Sequence, residues 1–260
     1  MPKFAANLSM LFTELPFLER FKAAADAGFG CVEFMFPNDV AAIEIAAQLR
    51  WNRLVQVLFN LPPGDWAAGE RGIACLPDRV NQFRDGVMQA RRYAKAIGCP
   101  RLHCLAGIAP EGADQHALRD TYIDNLRFAA DAVHDDGMTL LIEPINTRDI
   151  PGYFLTGTKQ ALRVIKDVGV ENLKLQYDCY HMHIMEGDVA AGIARNLDVI
   201  AHIQIADAPG RHEPGTGEID FPALFKHLDA IGYAGFIGCE YKPKKTTNES
   251  LAWLRALRGN

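Results

Sequence analysis

Short apolar runs alternate with stretches of helical spacing along nearly the whole chain. The runs fall at 4–8, 31–36, 54–58, 101–106, 139–143, 173–178, 199–205 and 236–240. Most are continuous rather than alternating in polarity, which marks strands buried on both faces in a parallel sheet. Between them, helical patterns cover 15–27, 40–49, 78–97, 117–133, 159–168, 189–196, 221–231 and 249–257. Gly28 and Gly98 supply stops, and Thr156-Gly157-Thr158 offers an N-cap ahead of the fifth helix. One stretch resists both patterns: 61–77 holds Pro62, Pro63, Gly64, Gly69, Gly72 and Pro77, with Trp66 and Ile73 beside Asp65, Glu70 and Arg71. That mixture predicts an ordered covering loop.

Eight strand–helix units at a spacing of about 30 residues match successive βαβ steps. No glycine-rich phosphate loop follows the first strand, where Asn7-Leu8-Ser9-Met10 stands, so a nucleotide-binding doubly wound sheet is disfavoured. The expected fold is α/β: a single (β/α)8 TIM barrel over residues 1–260, close to the ~250 residues such barrels take.

Composition narrows the function classes. Hydrophobic residues make up 49% and charged residues 23%, which predicts a large core and no disorder. The formal net charge is -5 and no basic block appears, so nucleic acid is not an expected partner. No apolar run reaches the ~18 residues that span a bilayer, and the N-terminus lacks a signal-peptide core. Six scattered cysteines show no zinc-ligand spacing. A reduced, cytoplasmic protein is the expectation, and nothing speaks against a homo-oligomer.

The chemistry sits at strand ends. Leu140-Leu141-Ile142-Glu143-Pro144 is an apolar run that stops on an acid and then breaks. The sixth, seventh and eighth runs end similarly, with Asp178, Gln204 and Glu240. Side chains at the C-terminal ends of barrel strands carry the chemistry of this architecture. Glu143, Asp178, Gln204 and Glu240 would therefore meet and hold a divalent metal. An all-oxygen set suits Mg²⁺ or Mn²⁺, and a cation relieves the repulsion of three packed acids. The bland alternative is four separately solvated strand-end residues.

His181, three residues beyond Asp178, is either a rim donor or an ordinary histidine near a helix start. Arg211 is either an anion-binding fork or a solvated loop charge. Strand parity aims Lys242 inward if the eighth strand continues past Glu240. His103 and Glu33 lie near strand ends, and each also reads as a satisfied polar residue of the barrel interior.

The chain resembles the hydroxypyruvate isomerase family of the xylose-isomerase-like barrels. The likeness rests on Val32-Glu33-Phe34-Met35-Phe36-Pro37, Gly64-Asp65-Trp66-Ala67-Ala68-Gly69-Glu70-Arg71-Gly72 and Leu141-Ile142-Glu143-Pro144-Ile145-Asn146. It continues through Gln176-Tyr177-Asp178, His202-Ile203-Gln204-Ile205-Ala206-Asp207, His212-Glu213-Pro214-Gly215-Thr216-Gly217-Glu218 and Gly238-Cys239-Glu240-Tyr241-Lys242-Pro243. The resemblance implies catalytic glutamates at Glu143 and Glu240, a metal held with Asp178 and Gln204, and a small keto acid as substrate. Relatives in the wider superfamily often carry histidine where Gln204 stands. The substrate contacts expected on this reading are His181, Arg211, Lys242 and His103. The implied reaction interconverts hydroxypyruvate and tartronate semialdehyde, with glyoxylate metabolism as its setting; a 2-oxo-tetronate isomerase, a sugar epimerase or a non-catalytic binding protein are the rival readings.

Overall fold

The computed structural model describes residues 2–37 and 39–259; Met1, Asn38 and Asn260, which the expected domain also includes, lie outside the described residues. Eight parallel strands close on themselves in sequence order: β1 (Lys3–Asn7), β2 (Cys31–Glu33), β3 (Val55–Asn60), β4 (Arg101–His103), β5 (Thr139–Ile142), β6 (Leu173–Asp178), β7 (Ile200–Ile205) and β8 (Phe236–Cys239), with β8 pairing back onto β1. The expected TIM barrel is therefore the observed fold. The helices α1 (Glu19–Asp26), α2 (Ala42–Asn52), α3 (Val80–Ile97), α4 (Gln115–His134), α5 (Thr158–Val168), α6 (Cys179–Glu186), α7 (Val189–Arg195), α8 (Phe221–Ala230), α9 (Thr247–Ser250) and α10 (Ala252–Arg258) accompany the strands.

The main apolar core lies between strands and helices, where residues such as Phe21, Phe34, Leu102, Tyr122 and Phe221 are fully enclosed. A second, small cluster consists of Ala5, Val57, Leu58 and Leu141. Ala5 precedes Asn7 by two residues and Leu141 precedes Glu143 by two, so strand alternation puts this cluster under a polar layer. The register sets the ends of the last three strands side by side: Asp178 pairs with Gln204, and Gln204 with Gly238, two residues before Glu240.

One local expectation gains a partner and another changes. The fifth helix begins at Thr158 with Gly157 as N-cap, inside the expected stretch, and Glu186 Oε1, at the end of α6, accepts the Thr158 N–H at 2.7 Å. The eighth strand ends at Cys239, so the extended run that would have aimed Lys242 inward stops short.

The segment between β3 and α3 is ordered by its own contacts. Its single 3-10 turn covers Pro77–Arg79, and Arg79 Nη1 donates to Glu70 Oε1 at 2.6 Å. Gly72 adopts φ +100°, and a Cβ there would lie 2.3 Å from the Leu105 carbonyl oxygen. Only glycine lets the loop backbone pack this closely against the exit of β4.

Candidate active site

Glu143, just past β5, and Glu240, just past β8, line one cavity over the C-terminal ends of the strands. Gln204, His103, His181, Arg211 and Gln176 line it too. Asp178 closes the group: its Oδ2 lies 3.7 Å from His181 Nε2 and 3.7 Å from Arg211 Nη2, which is itself 3.3 Å from Glu240 Oε1. Seven of the eight residues expected at the site are thus gathered in one place. Lys242 is not: it is exposed and lines no part of this cavity, because the chain has left the sheet before reaching it. Its backbone N–H donates to the Arg211 carbonyl, so it supports the neighbouring loop instead.

Each acid arrives by a clear local route. Asp178 ends β6 and also caps α6, its Oδ1 accepting the Tyr180 N–H at 2.7 Å while Oδ2 has no hydrogen-bond partner. Arg211 sits on the loop after β7 in a left-handed backbone conformation, φ +54°. Asp207 shapes that loop: its carboxylate accepts the backbone N–H groups of Ala208, Gly215, Thr216, Gly217 and Ile219.

Packing acids together out of water disfavours their charged forms. Burial, then the charges of Asp178 and Glu240, push the Glu143 carboxyl well above its usual range. Burial pushes Glu240 up to about 8 against the opposing pull of Arg211, with Asp178 and Glu33 adding to the rise. Asp178 is raised by burial, with Arg211 and the Tyr180 and His181 backbone N–H groups pulling back. The histidines go the other way. Burial lowers His103 to about 3 and His181 well below its ordinary value, with Arg211 adding to the effect on His181.

The donor set fits a divalent cation. Glu143 Oε1 and Asp178 Oδ2 are buried acceptors without a hydrogen-bond partner, and such orphaned oxygens are costly unless something positive fills the gap. One ligand atom each from Glu143, Asp178 and His181 lies within 4.8 Å of the others. The hydrogen bonding of His181 argues against the imidazole as a ligand. Asn146 Oδ1 accepts from the N–H groups of Arg148 and Asp149, which turns Asn146 Nδ2 toward His181 Nδ1 at 2.6 Å. Nδ1 is therefore an acceptor, and the neutral ring carries its proton on Nε2, facing Asp178. A protonated nitrogen donates; it does not ligate.

Beneath the cavity runs a chain of buried contacts that only the tertiary structure reveals. Gln176 Nε2 donates to Glu143 Oε2 at 3.1 Å and to Gln204 Oε1 at 2.6 Å. Gln204 Nε2 donates to Glu33 Oε1, and His202 Nε2 to Glu33 Oε2, both at 2.7 Å. Strand parity placed Gln176 and His202 inward; the structure adds their partners, which for Gln176 stand on or just past the two neighbouring strands and for His202 on the distant β2. Glu33 is indeed a satisfied polar residue of the interior, and Gly238 makes room for it, since a Cβ there would lie 2.3 Å from its carboxylate. His103 has one ring nitrogen 3.2 Å from Asn60 Oδ1, while Nε2 lies 3.4 Å from Glu143 Oε2.

Trp66 and Arg71, from the irregular segment after β3, also line the cavity. The Arg71 guanidinium stacks on the Trp66 ring with 3.8 Å between its carbon and the ring centre.

Comparison with known proteins identifies the family. The model of the xylose isomerase-like TIM barrel family matches residues 21–257. The chain is 53% identical to the 2-oxo-tetronate isomerase of Cupriavidus necator over 100% of both chains. It is 52% identical to the hydroxypyruvate isomerase of Escherichia coli, covering 99% of this chain and 100% of that one. Among solved structures, the AP endonuclease, family 2 of Brucella melitensis is 50% identical and superimposes with a TM-score of 0.96, covering 98% of this chain and 99% of that one. The chain belongs to the xylose isomerase-like TIM barrel family, among relatives that include the hydroxypyruvate and 2-oxo-tetronate isomerases.

Proposed function

We propose that the protein is an aldose–ketose isomerase that interconverts hydroxypyruvate and 2-hydroxy-3-oxopropanoate (tartronate semialdehyde). The observation that carries this reading is the pair Glu143 and Glu240: two buried carboxyls just past strands β5 and β8 line one small cavity, both with proton affinities raised. General acids and bases work best when their pKa approaches the operating pH.

The reaction moves one carbon-bound proton. One glutamate takes a proton from C3 of hydroxypyruvate, leaving an enediolate across C2 and C3. A proton returned to C2 and a proton shift from O3 to O2 give the aldehyde. The two glutamates exchange roles in the reverse direction. His181 Nε2–H is directed into the site, where it donates to oxygen as negative charge develops. Arg211 neutralises Asp178 and Glu240, and His103, neutral, packs against Glu143. Trp66 and its loop shield the intermediate from water.

Glu143, Asp178, Gln204 and Glu240 would hold a divalent metal, Mg²⁺ or Mn²⁺ by their all-oxygen chemistry. Such an ion supplies positive charge that stabilises the enediolate oxygens. Gln204 Oε1 already accepts from Gln176, but an amide oxygen has a second lone pair. All six cysteines are unpaired, which supports a cytoplasmic setting, and no helix among the described residues is long and apolar enough to cross a membrane.

The test is proton NMR in D₂O with purified protein, Mn²⁺ or Mg²⁺, and hydroxypyruvate. Isomerisation with deuterium entering the product carbon is the expected result; an inert mixture sinks the three-carbon reading. The relative in Cupriavidus necator favours a second reading, the isomerisation of a 2-oxo-tetronate by the same proton transfer. Turnover confined to the four-carbon acid would select it.

A further inference from the structure

We infer that Arg71 anchors the carboxylate of the substrate and so makes this barrel select an acid rather than a neutral sugar. The inference rests on the acid-isomerase reading and adds the residue that recognises the acid group. Both acids considered above carry a carboxylate that must be held while the neighbouring carbons react. A buried anion needs a cation or several donors. Three cationic side chains come near the site by sequence or structure, and two are unsuited. Lys242 is exposed and outside the cavity. Arg211 is already shared among three buried acids: Glu240 at 3.3 Å, Asp178 at 3.7 Å, and Glu143, whose proton affinity it lowers. A substrate carboxylate would compete with those acids for one guanidinium.

Arg71 is different. It lines the same cavity as Glu143 and Glu240, and it is paired with no carboxylate among the described residues. Its Nη1 donates to the carbonyl oxygens of Trp66, at 3.2 Å, and Glu70, at 2.8 Å. No hydrogen bond from Nε or Nη2 is formed among the described residues. The Trp66 face fixes the plane of the guanidinium, which cuts the rotamer entropy lost when a ligand binds. A planar, pre-set fork with free N–H groups is the geometry that takes a carboxylate. The loop that carries it is held by Gly72 against Leu105 and by the Glu70–Arg79 pair, so the charge is presented by an ordered segment.

The test compares Arg71→Gln and Arg71→Lys with the wild type, each folded by circular dichroism and loaded with Mn²⁺. On the acid the wild type isomerises, Arg71→Gln should raise KM about 10- to 100-fold, the worth of one charged hydrogen-bonded contact, with kcat held within about fivefold. Arg71→Lys, which keeps the charge, should fall between. A rise of KM with added salt should be steep in the wild type and shallow in Arg71→Gln, a difference that a merely structural role of the stack would not produce. A KM within twofold of wild type, or a fall in kcat that accounts for the whole loss, overturns the role of Arg71. A wild type inert toward both the three- and four-carbon acids sinks the acid-isomerase reading and this inference with it, while an active wild type with an insensitive variant sinks the inference alone.

Discussion

Glu33 Oε1 accepts a 2.7 Å hydrogen bond from Gln204 Nε2, and this one contact sets which end of the Gln204 amide faces the site. A carboxylate facing a donor only accepts. With its nitrogen held by Glu33, Gln204 must turn its oxygen toward Gln176 and the acids above. Asn7 and His202 also bind Glu33, so the carboxylate that orients the amide is itself fixed from two sides. An amide expected to offer its oxygen to a metal needs such a partner, because an amide can flip.

The first prediction follows from that contact. Glu33→Gln should weaken Mn²⁺ binding by roughly 10- to 100-fold, as loss of groups that orient metal ligands typically does. Isothermal titration would read it. Unchanged affinity would show that Gln204 either does not ligate or needs no orienting partner.

Glu143→Gln and Glu240→Gln should each cut turnover by at least about a hundredfold while the proteins remain folded. Deuterium wash-in separates the two roles. The variant lacking the first base should lose exchange from hydroxypyruvate altogether. Near-wild-type isomerisation by either variant would remove that residue from the chemistry.

His181→Phe should lower kcat by about 10²-fold, the usual effect of losing one donor to a developing oxyanion. Its Mn²⁺ affinity should stay within about threefold of wild type, because Nε2 carries a proton and is no ligand. A large loss of Mn²⁺ affinity would refute the tautomer assigned from Asn146.

The raised carboxyls make the metal-free protein sensitive to alkali. A carboxyl with a folded pKa above its unfolded value contributes stability that is fully present below the unfolded pKa and is lost as pH rises through the folded value. For Glu240 that loss extends up to about 8, and Glu143 acts in the same direction. His103, lowered to about 3, acts only in acid, losing its contribution as pH falls below the ordinary histidine range. Thermal melts of metal-free protein should therefore drop in Tm between pH 6.5 and 8.5, the window about the Glu240 value in which histidine linkage is silent. Added Mn²⁺ should flatten the drop by displacing those protons. A flat metal-free profile would mean the acids are not buried as protonated groups.

Much of the fold was legible because its period is local. Continuous apolar runs and helical spacing need only neighbouring residues, so the eight units and the strand-end positions of Glu143, Asp178, Gln204 and Glu240 could be read directly. The helix α6 was less clear, since its sequence CYHMHIME carries no firm apolar stripe and its start depends on Asp178 serving as N-cap. The cap of α5 falls at Gly157, inside the stretch the sequence offered, but the acceptor of its first N–H, Glu186, lies 28 residues away and could not be read locally.

The sequence by itself determined the barrel, the polar tips of its strands and the irregular segment after β3, because alternation, chain breaks and glycine placement are properties of adjacent residues. Only the tertiary structure decided what each polar group does. It sent Lys242 to solvent by ending β8 at Cys239, joined Glu33 to Gln204 across 171 residues, fixed the His181 proton through Asn146, and brought Arg71 into the cavity that the two glutamates line. Partners that meet across a closed barrel are set by register and closure, and neither leaves a mark on the neighbours of either residue.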